Sequence, residues 1–253
     1  MDVERGLMAT QEEAGLIGST VVQSSTDWSA RPRARVRVGV CPRSQPFDES
    51  MDSLSICVAQ AHVSGIDVIV EKTRRGVPGF QNWGPSLFNF LEDKDATHIF
   101  AAADDMLYPA NILERLIGDD KDIVSAIYRK SVVNAIQPAN WVEDAETFSR
   151  HLCEGGVFES QFASGHTMLV KRQVIEKMVA DYPELAYSNT PDGKTHYGLY
   201  LPMIKDGLCF QDDWAFSIRA RASGFTIWND YSCLCYHWGG AFLGFPQPQD
   251  VKA

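Results

Sequence analysis

Three groups of residues have the types and spacing to do chemistry together. Asp104 and Asp105 follow directly on the apolar run His98-Ile99-Phe100-Ala101-Ala102-Ala103. Adjacent carboxylates at the end of a buried strand repel each other and are costly unless a cation neutralises them. Their hard oxygens suit Mg²⁺ or Mn²⁺, which would in turn hold phosphate oxygens. The plainer account is that the pair caps the helix that Pro109 opens. A second acidic pair, Asp212-Asp213, stands at the start of a helical stretch, where capping is again the plainer account. The third group is His237, in Tyr236-His237-Trp238-Gly239-Gly240 at the end of the last strand-like run. A lone histidine is usually structural, but one at a strand end beside paired glycines can reach a site. All three in this order are far less expected by chance than any one alone.

The elements that must position these groups begin with a strand at 36–41, stopped by Pro42. A helix over about 50–62 carries Leu54, Val58 and Ala61 on one face. A strand at 66–70 and a basic loop with Lys72, Arg74 and Arg75 follow. The next helix, 80–92, carries Trp83, Leu87, Phe90 and Leu91, with Pro85 tolerable only near its start. After the strand at 98–103, Pro109 opens a helix with Ile112, Leu113, Leu116 and Ile117 as its core face, and a strand spans 123–128. This alternation implies a parallel sheet with helices on both faces, and ligands bind outside the carboxyl ends of such strands. The second half is more mixed: a strand pair at 157–162 and 167–171, a helix at 173–180, a turn-rich loop at 188–195, a helix at 213–222, and short strands at 225–228 and 232–237. One domain, 34–246, is expected between a flexible polar tail, 1–33, and a short C-terminal tail, 247–253.

Composition narrows the class further. The 253 residues include 23 basic and 33 acidic side chains, a net charge of -10, and 45% are hydrophobic. That apolar share excludes a chain disordered throughout, and the 19 Gly and 12 Pro show no collagen period. The acidic balance excludes a surface that wraps nucleic acid everywhere, though not a local basic patch. The six cysteines form no CxxC pair, so a zinc ribbon is disfavoured and reduced core thiols are expected. The acidic N-terminus lacks a signal-peptide pattern, and no apolar run is long enough to span a bilayer. A soluble, cytoplasmic protein is the expectation. No GxGxxG follows a strand, Gly193-Lys194-Thr195 has Ser188 where a phosphate loop needs glycine, and no GxSxG is present. The first strand runs into Pro42-Arg43-Ser44, without the glycine-rich loop of nucleotidyltransferases of similar topology.

The motifs as a set resemble the GT-A glycosyltransferases of the family-2-like group. The residues that carry the likeness are Thr97 to Met106 with Tyr108-Pro109, Asp122 to Ala126, Ser164 to Arg172, Asp212 to Phe216, Gly224 to Trp228 and His237-Trp238-Gly239. The match covers about residues 35–240. It implies an α/β, Rossmann-like mixed sheet flanked by helices, and metal-dependent transfer of a sugar from a nucleotide-sugar donor, UDP-sugar first, to an acceptor hydroxyl with inversion. It implies Asp105 and His237 as ligands to Mn²⁺ or Mg²⁺, Asp104 near the sugar or ribose, and Asp213 as catalytic base with Asp212 beside it. It also places Pro42, Arg43, Glu71, Asn82 and Gly165 along the donor. Two positions depart from the family pattern: Ala103 stands at the first acid of the Asp-x-Asp motif, and Gln81 stands for the arginine of an Arg-Asn pair. Arg74, Arg75 or Lys171 could add charge near phosphate, although solvated surface is the plainer role. One branch of similar layout glycosylates hydroxymethylpyrimidines in DNA; such an acceptor would need a local basic groove, to which Arg31, Arg33, Arg35 and Arg37 could contribute, although flanking the tail is their plainer role. A non-catalytic nucleotide-sugar binder and a nucleotidyltransferase remain as alternatives.

Overall fold

Val36, Val38 and Val40 alternate with Arg35, Arg37 and Gly39 along β1 (Arg35–Cys41), and all three valines are buried. Alternation of this kind makes a strand with one face in a core. The computed structural model describes residues 34–41, 48–72, 79–128, 145–188, 193–238 and 242–243. After β1 come α1 (Asp48–Val63), β2 (Asp67–Lys72), α2 (Gly79–Glu92), β3 (His98–Ala103), β4 (Met106–Leu107), α3 (Ile112–Gly118) and β5 (Ile123–Tyr128). The second half holds α4 (Ala145–Glu154), β6 (Val157–Ser160), β7 (Thr167–Lys171), α5 (Arg172–Asp181), β8 (Ala186–Ser188), β9 (Thr195–Tyr197), β10 (Met203–Lys205), β11 (Leu208–Phe210), α6 (Asp212–Ala222), β12 (Ile227–Trp238) and β13 (Phe242–Leu243).

Among the described residues, one sheet runs in the order β13-β12-β5-β7-β3-β1-β2, with β4 and β6 joined to β12. β1 is parallel to β2 and β3, and β12 is parallel to β5. β7 lies antiparallel between β3 and β5. β5 is buried along its whole length, as a central strand covered on both faces must be. α1 packs against α3. Residues of α2, α5 and α6 share a separate core, where Trp83, Leu87 and Phe90 join Ile99, Met168, Ile175 and Phe216. The result is a Rossmann-like mixed α/β sheet flanked by helices, the architecture expected from the sequence.

Several details differ from the expectation. The segments at 157–162 and 167–171 do not pair with each other. β7, buried at four of its five positions, takes a central place, whereas the half-exposed β6 pairs with β12. The two short strands at the end are one strand, β12, with an irregularity in its pairing between Asp230 and Leu234. α3 starts at Ile112 with Asn111 as its cap, and Pro109 only accepts the Ile112 N–H. Asp104 and Asp105 are therefore not its cap. Pro85 lies well inside α2 rather than near its start. α4 and the β10–β11 hairpin were not foreseen, and the 188–195 loop contributes to the β8–β9 hairpin. Cys41, Cys57, Cys233 and Cys235 are buried thiols, but Cys153 and Cys209 are exposed. No helix among the described residues is long and apolar enough to cross a membrane.

The irregular region of β12 is stabilised by charge. Asp230 is fully buried, ion-paired with Arg115 of α3, and accepts the Ser232 N–H at 2.8 Å. Removing one partner of a buried pair strands the other charge. Arg115→Met is expected to destabilise the fold by about 2–4 kcal/mol in urea unfolding, because among the described residues Asp230 then keeps only the Ser232 N–H.

Candidate active site

Beyond Ala103 the chain turns through Asp104-Asp105 into β4, and the turn is held from three sides. The Tyr108 hydroxyl accepts the Ala103 N–H at 2.7 Å and lies 3.0 Å from the Ala103 carbonyl and 3.1 Å from that of His166. Ser50 and Ser53 of α1 accept the N–H groups of Met106 and Tyr108, each at 3.2 Å. β4 pairs antiparallel with β12, which sets Met106 opposite His237. That register brings His237 Nε2 to 3.3 Å from Asp105 Oδ2, with the two residues 3% and 5% exposed. Tyr108→Phe would leave a buried N–H without its acceptor. It is expected to cost about 1–3 kcal/mol, read as a lower midpoint of thermal unfolding.

A third donor joins this pair. Ligand atoms of Asp105, His166 and His237 all lie within 4.8 Å of one another. Cations bound by carboxylate and imidazole sit roughly 2.0–2.3 Å from each donor, so donors sharing an ion stand about 3–4.5 Å apart. The three groups fit one divalent ion with small adjustments. Apart from the approach to Asp105, the ring nitrogens of His237 have no hydrogen-bond partner among the described residues, which is costly for a buried imidazole unless something else is bound there. The sequence reading missed His166. The signal was present as a histidine directly before a buried strand, but only the antiparallel course of β7 carries it to the same sheet end as Asp105. Asp104, 1% exposed, lies in the same turn and is not one of the three donors.

The second acidic pair opens α6. Asp213 Oδ2 accepts the Gly165 N–H at 3.2 Å, and Oδ1 accepts the Trp214 N–H at 2.9 Å. Burial, and then the neighbouring Asp212 carboxylate, push the Asp213 carboxyl up to about 6, against the pull of its backbone donors. Aromatic rings line this end of the helix: Trp214 stacks on Phe162 at 4.8 Å, and Tyr200 stacks on Phe216 at 4.5 Å and on Trp83 at 5.1 Å. Gly165 is required by close approach, since a Cβ there would lie 2.9 Å from that of Asp213.

A buried polar network fixes the turn that carries Gly165 and His166. Ser125 Oγ donates to Asn229 Oδ1 at 2.7 Å and accepts the Ser164 N–H at 3.3 Å. Asn229 Nδ2 donates to the Phe162 carbonyl at 3.2 Å. Ser217 Oγ accepts the Ala163 N–H at 3.2 Å and donates to the Asp213 carbonyl at 2.9 Å. Satisfied networks of this kind rigidify the groups they connect.

Other sequence candidates fall differently. Glu71, at the carboxyl end of β2, is ion-paired with Arg37 and accepts a hydrogen bond from Asn89 at 3.2 Å. Lys171 does not approach the Asp105 turn. It ends β7 opposite His98, at the start of β3, and pairs with Asp120 and Asp122. Arg35 and Arg37 offer no open basic groove: Arg35 binds Asp67, Asp93 and Asp95, and Arg37 binds Asp93 and Glu71. Arg31, Arg33, Pro42, Arg43, Arg74 and Arg75, and the side chains of Gln81 and Asn82, lie outside the described residues. A surface cleft lined by Arg35, His62, Asp67 and Asp95 lies at the amino ends of the parallel strands and holds none of the site groups.

No protein-family model and no curated protein sequence matches the chain. Among solved structures, the crystal structure of A197 from STIV is similar at a TM-score of 0.48 and 14% identity, over 87% of this chain and 98% of that chain.

Proposed function

We propose that the protein is a metal-assisted glycosyltransferase that moves a sugar from a nucleotide-sugar donor, a UDP-sugar first, to an acceptor hydroxyl with inversion. The observation that carries this reading is the Gly165-His166 dipeptide. The N–H of Gly165 holds the carboxylate of Asp213, and the next side chain shares a donor cluster with Asp105 and His237. Asp213 and the donor cluster are thereby linked through one turn at the carboxyl end of β3, which supports reading them as base and cation site of one centre. When bound, a divalent cation such as Mn²⁺ or Mg²⁺ supplies positive charge against the departing nucleotide diphosphate.

The chain's own groups do the rest. Asp105 and His237 hold the ion, and Asp104 lies beside Asp105 in the same turn. Asp213, with a carboxyl that titrates near 6, is ionised at neutral pH and takes the proton of the acceptor hydroxyl as its oxygen bonds to the anomeric carbon. The bond from that carbon to the diphosphate breaks, and its electron pair leaves with the diphosphate. Asp212 keeps Asp213 basic by like-charge repulsion, and Trp214 offers a partly exposed ring beside the base. Incubation with a panel of nucleotide sugars and Mn²⁺ is expected to release a nucleoside diphosphate from one of them, with an inverted anomer seen by NMR. Release of pyrophosphate from a nucleoside triphosphate would instead identify a nucleotidyltransferase. Donor binding without any turnover would identify a non-catalytic binder. A DNA acceptor gains no support from Arg35 and Arg37, which are committed to carboxylates at the amino-terminal half of β1.

A further inference from the structure

We infer that His166 is a metal ligand, and that the centre it completes selects late first-row ions such as Co²⁺ over Mg²⁺. The inference rests on the proposed reading of Asp105 and His237 as a cation site. Its new content is the third donor and the class of ion.

The donor set carries the argument. Of the three side chains clustered within 4.8 Å, two offer imidazole nitrogen and one offers carboxylate oxygen. Mg²⁺ and Ca²⁺ are held mainly by oxygen, whereas imidazole favours ions later in the first transition row. Ala103 stands directly before Asp104-Asp105, so β3 brings no further carboxylate that would shift the set back toward oxygen. An ion held by three protein donors would keep coordination sites free for phosphate oxygens.

The placement of His166 is that of a ligand rather than a filler. Its ring is partly exposed, while the two other donors are buried, so the ion would be covered by protein on one side and open on the other. The ring lies nearly parallel to those of Tyr128, at 6.1 Å and 14°, and of His237, at 6.3 Å and 19°. The Tyr128 hydroxyl stands 3.3 Å from His166 Nδ1, the type of outer contact that orients a ligating imidazole. The carbonyl of His166 is within reach of the Tyr108 hydroxyl, which also holds Ala103 at the start of the Asp104-Asp105 turn. One tyrosine thereby ties the backbone of the third donor to the turn that carries the first.

The test uses metal-stripped, tag-free full-length protein, titrated calorimetrically with CoCl₂ and with MgCl₂. Co²⁺ is expected to bind at one site about tenfold tighter than Mg²⁺, or more. In His166→Asn, Co²⁺ affinity is expected to fall roughly tenfold or more, with a change of less than about threefold for Mg²⁺. A Cys153→Ser/Cys209→Ser protein should keep the Co²⁺ site, since exposed thiols would otherwise be the competing ligands. X-ray absorption on the Co²⁺-loaded wild-type protein should count two imidazoles, a readout independent of how any variant folds. Equal affinity for Co²⁺ and Mg²⁺, a single imidazole, or an unchanged Co²⁺ affinity in His166→Asn would each overturn the inference. The outcome for catalysis is separate. A selective Co²⁺ site with no donor turned over sinks the transferase reading and leaves this centre standing. Turnover with no preference between the ions does the reverse.

Discussion

Asp213→Asn is expected to slow sugar transfer by about 10²–10⁴-fold and to raise the stability of the fold as pH rises from about 4, in full above about 6. Both effects come from one placement. The carboxyl group is held against Gly165 and beside Asp212, with burial as the larger cause of its upward shift, from an ordinary 3.8 to about 6. The folded protein thus binds this proton more tightly than the unfolded chain does. Stability from this group is complete below about pH 4 and is lost as pH rises through about 6. The loss amounts to roughly 2–3 kcal/mol at most. Asparagine is neutral throughout and escapes it. Urea unfolding at pH 4 and pH 8 should show the variant gaining on the wild type mainly at the higher pH. The same titration sets the rate, because the base works only when ionised: wild-type kcat/KM should climb with pH to a plateau, with its midpoint near 6. Full transfer by the variant at neutral pH would place the base elsewhere, and a variant inactive but no more stable would mean that Asp213 is not held in a costly state.

How far the sequence foretold this site depends on what kind of order each part uses. β3 and β5 were legible as written, because His98–Ala103 and Ile123–Tyr128 are apolar runs of strand length bounded by polar residues. α1 and α2 were legible from their periodic faces. The position of β7 was not, since nothing local says whether a strand pairs with its sequence neighbour or slots antiparallel between two distant ones. His166 was missed for that reason, although His237 was found through the order of motifs. The link between His237 and Asp105 is made by β4, two residues long and with no periodicity to detect. The β10–β11 hairpin is a different kind of omission. Asp206 and Gly207 both sit at positive φ, 51° and 77°, and Asp-Gly is the usual sequence for such a two-residue turn. The signal was there, but the three-residue strands on either side were too short to support it.

Asp105→Asn is expected to weaken metal binding by about 10²–10³-fold, and to lower transfer by a similar factor at limiting metal. Asp105 is the only anionic member of the donor cluster, and at 5% exposure little water is present to replace its charge. Leaving a buried charge without its counter-charge costs about 3–5 kcal/mol, and each 1.4 kcal/mol is tenfold in affinity. Asparagine keeps the size of the side chain and one carbonyl oxygen, so the turn between β3 and β4, held through Tyr108, Ser50 and Ser53, has no reason to collapse. The defect should therefore be one of affinity: raising the metal concentration should recover much of the lost rate. No metal concentration should recover Asp213→Asn, whose missing group handles the proton. Transfer measured against metal concentration in the two variants separates the roles. If Asp105→Asn responds to metal as the wild type does, the cluster of Asp105, His166 and His237 is not where the ion sits.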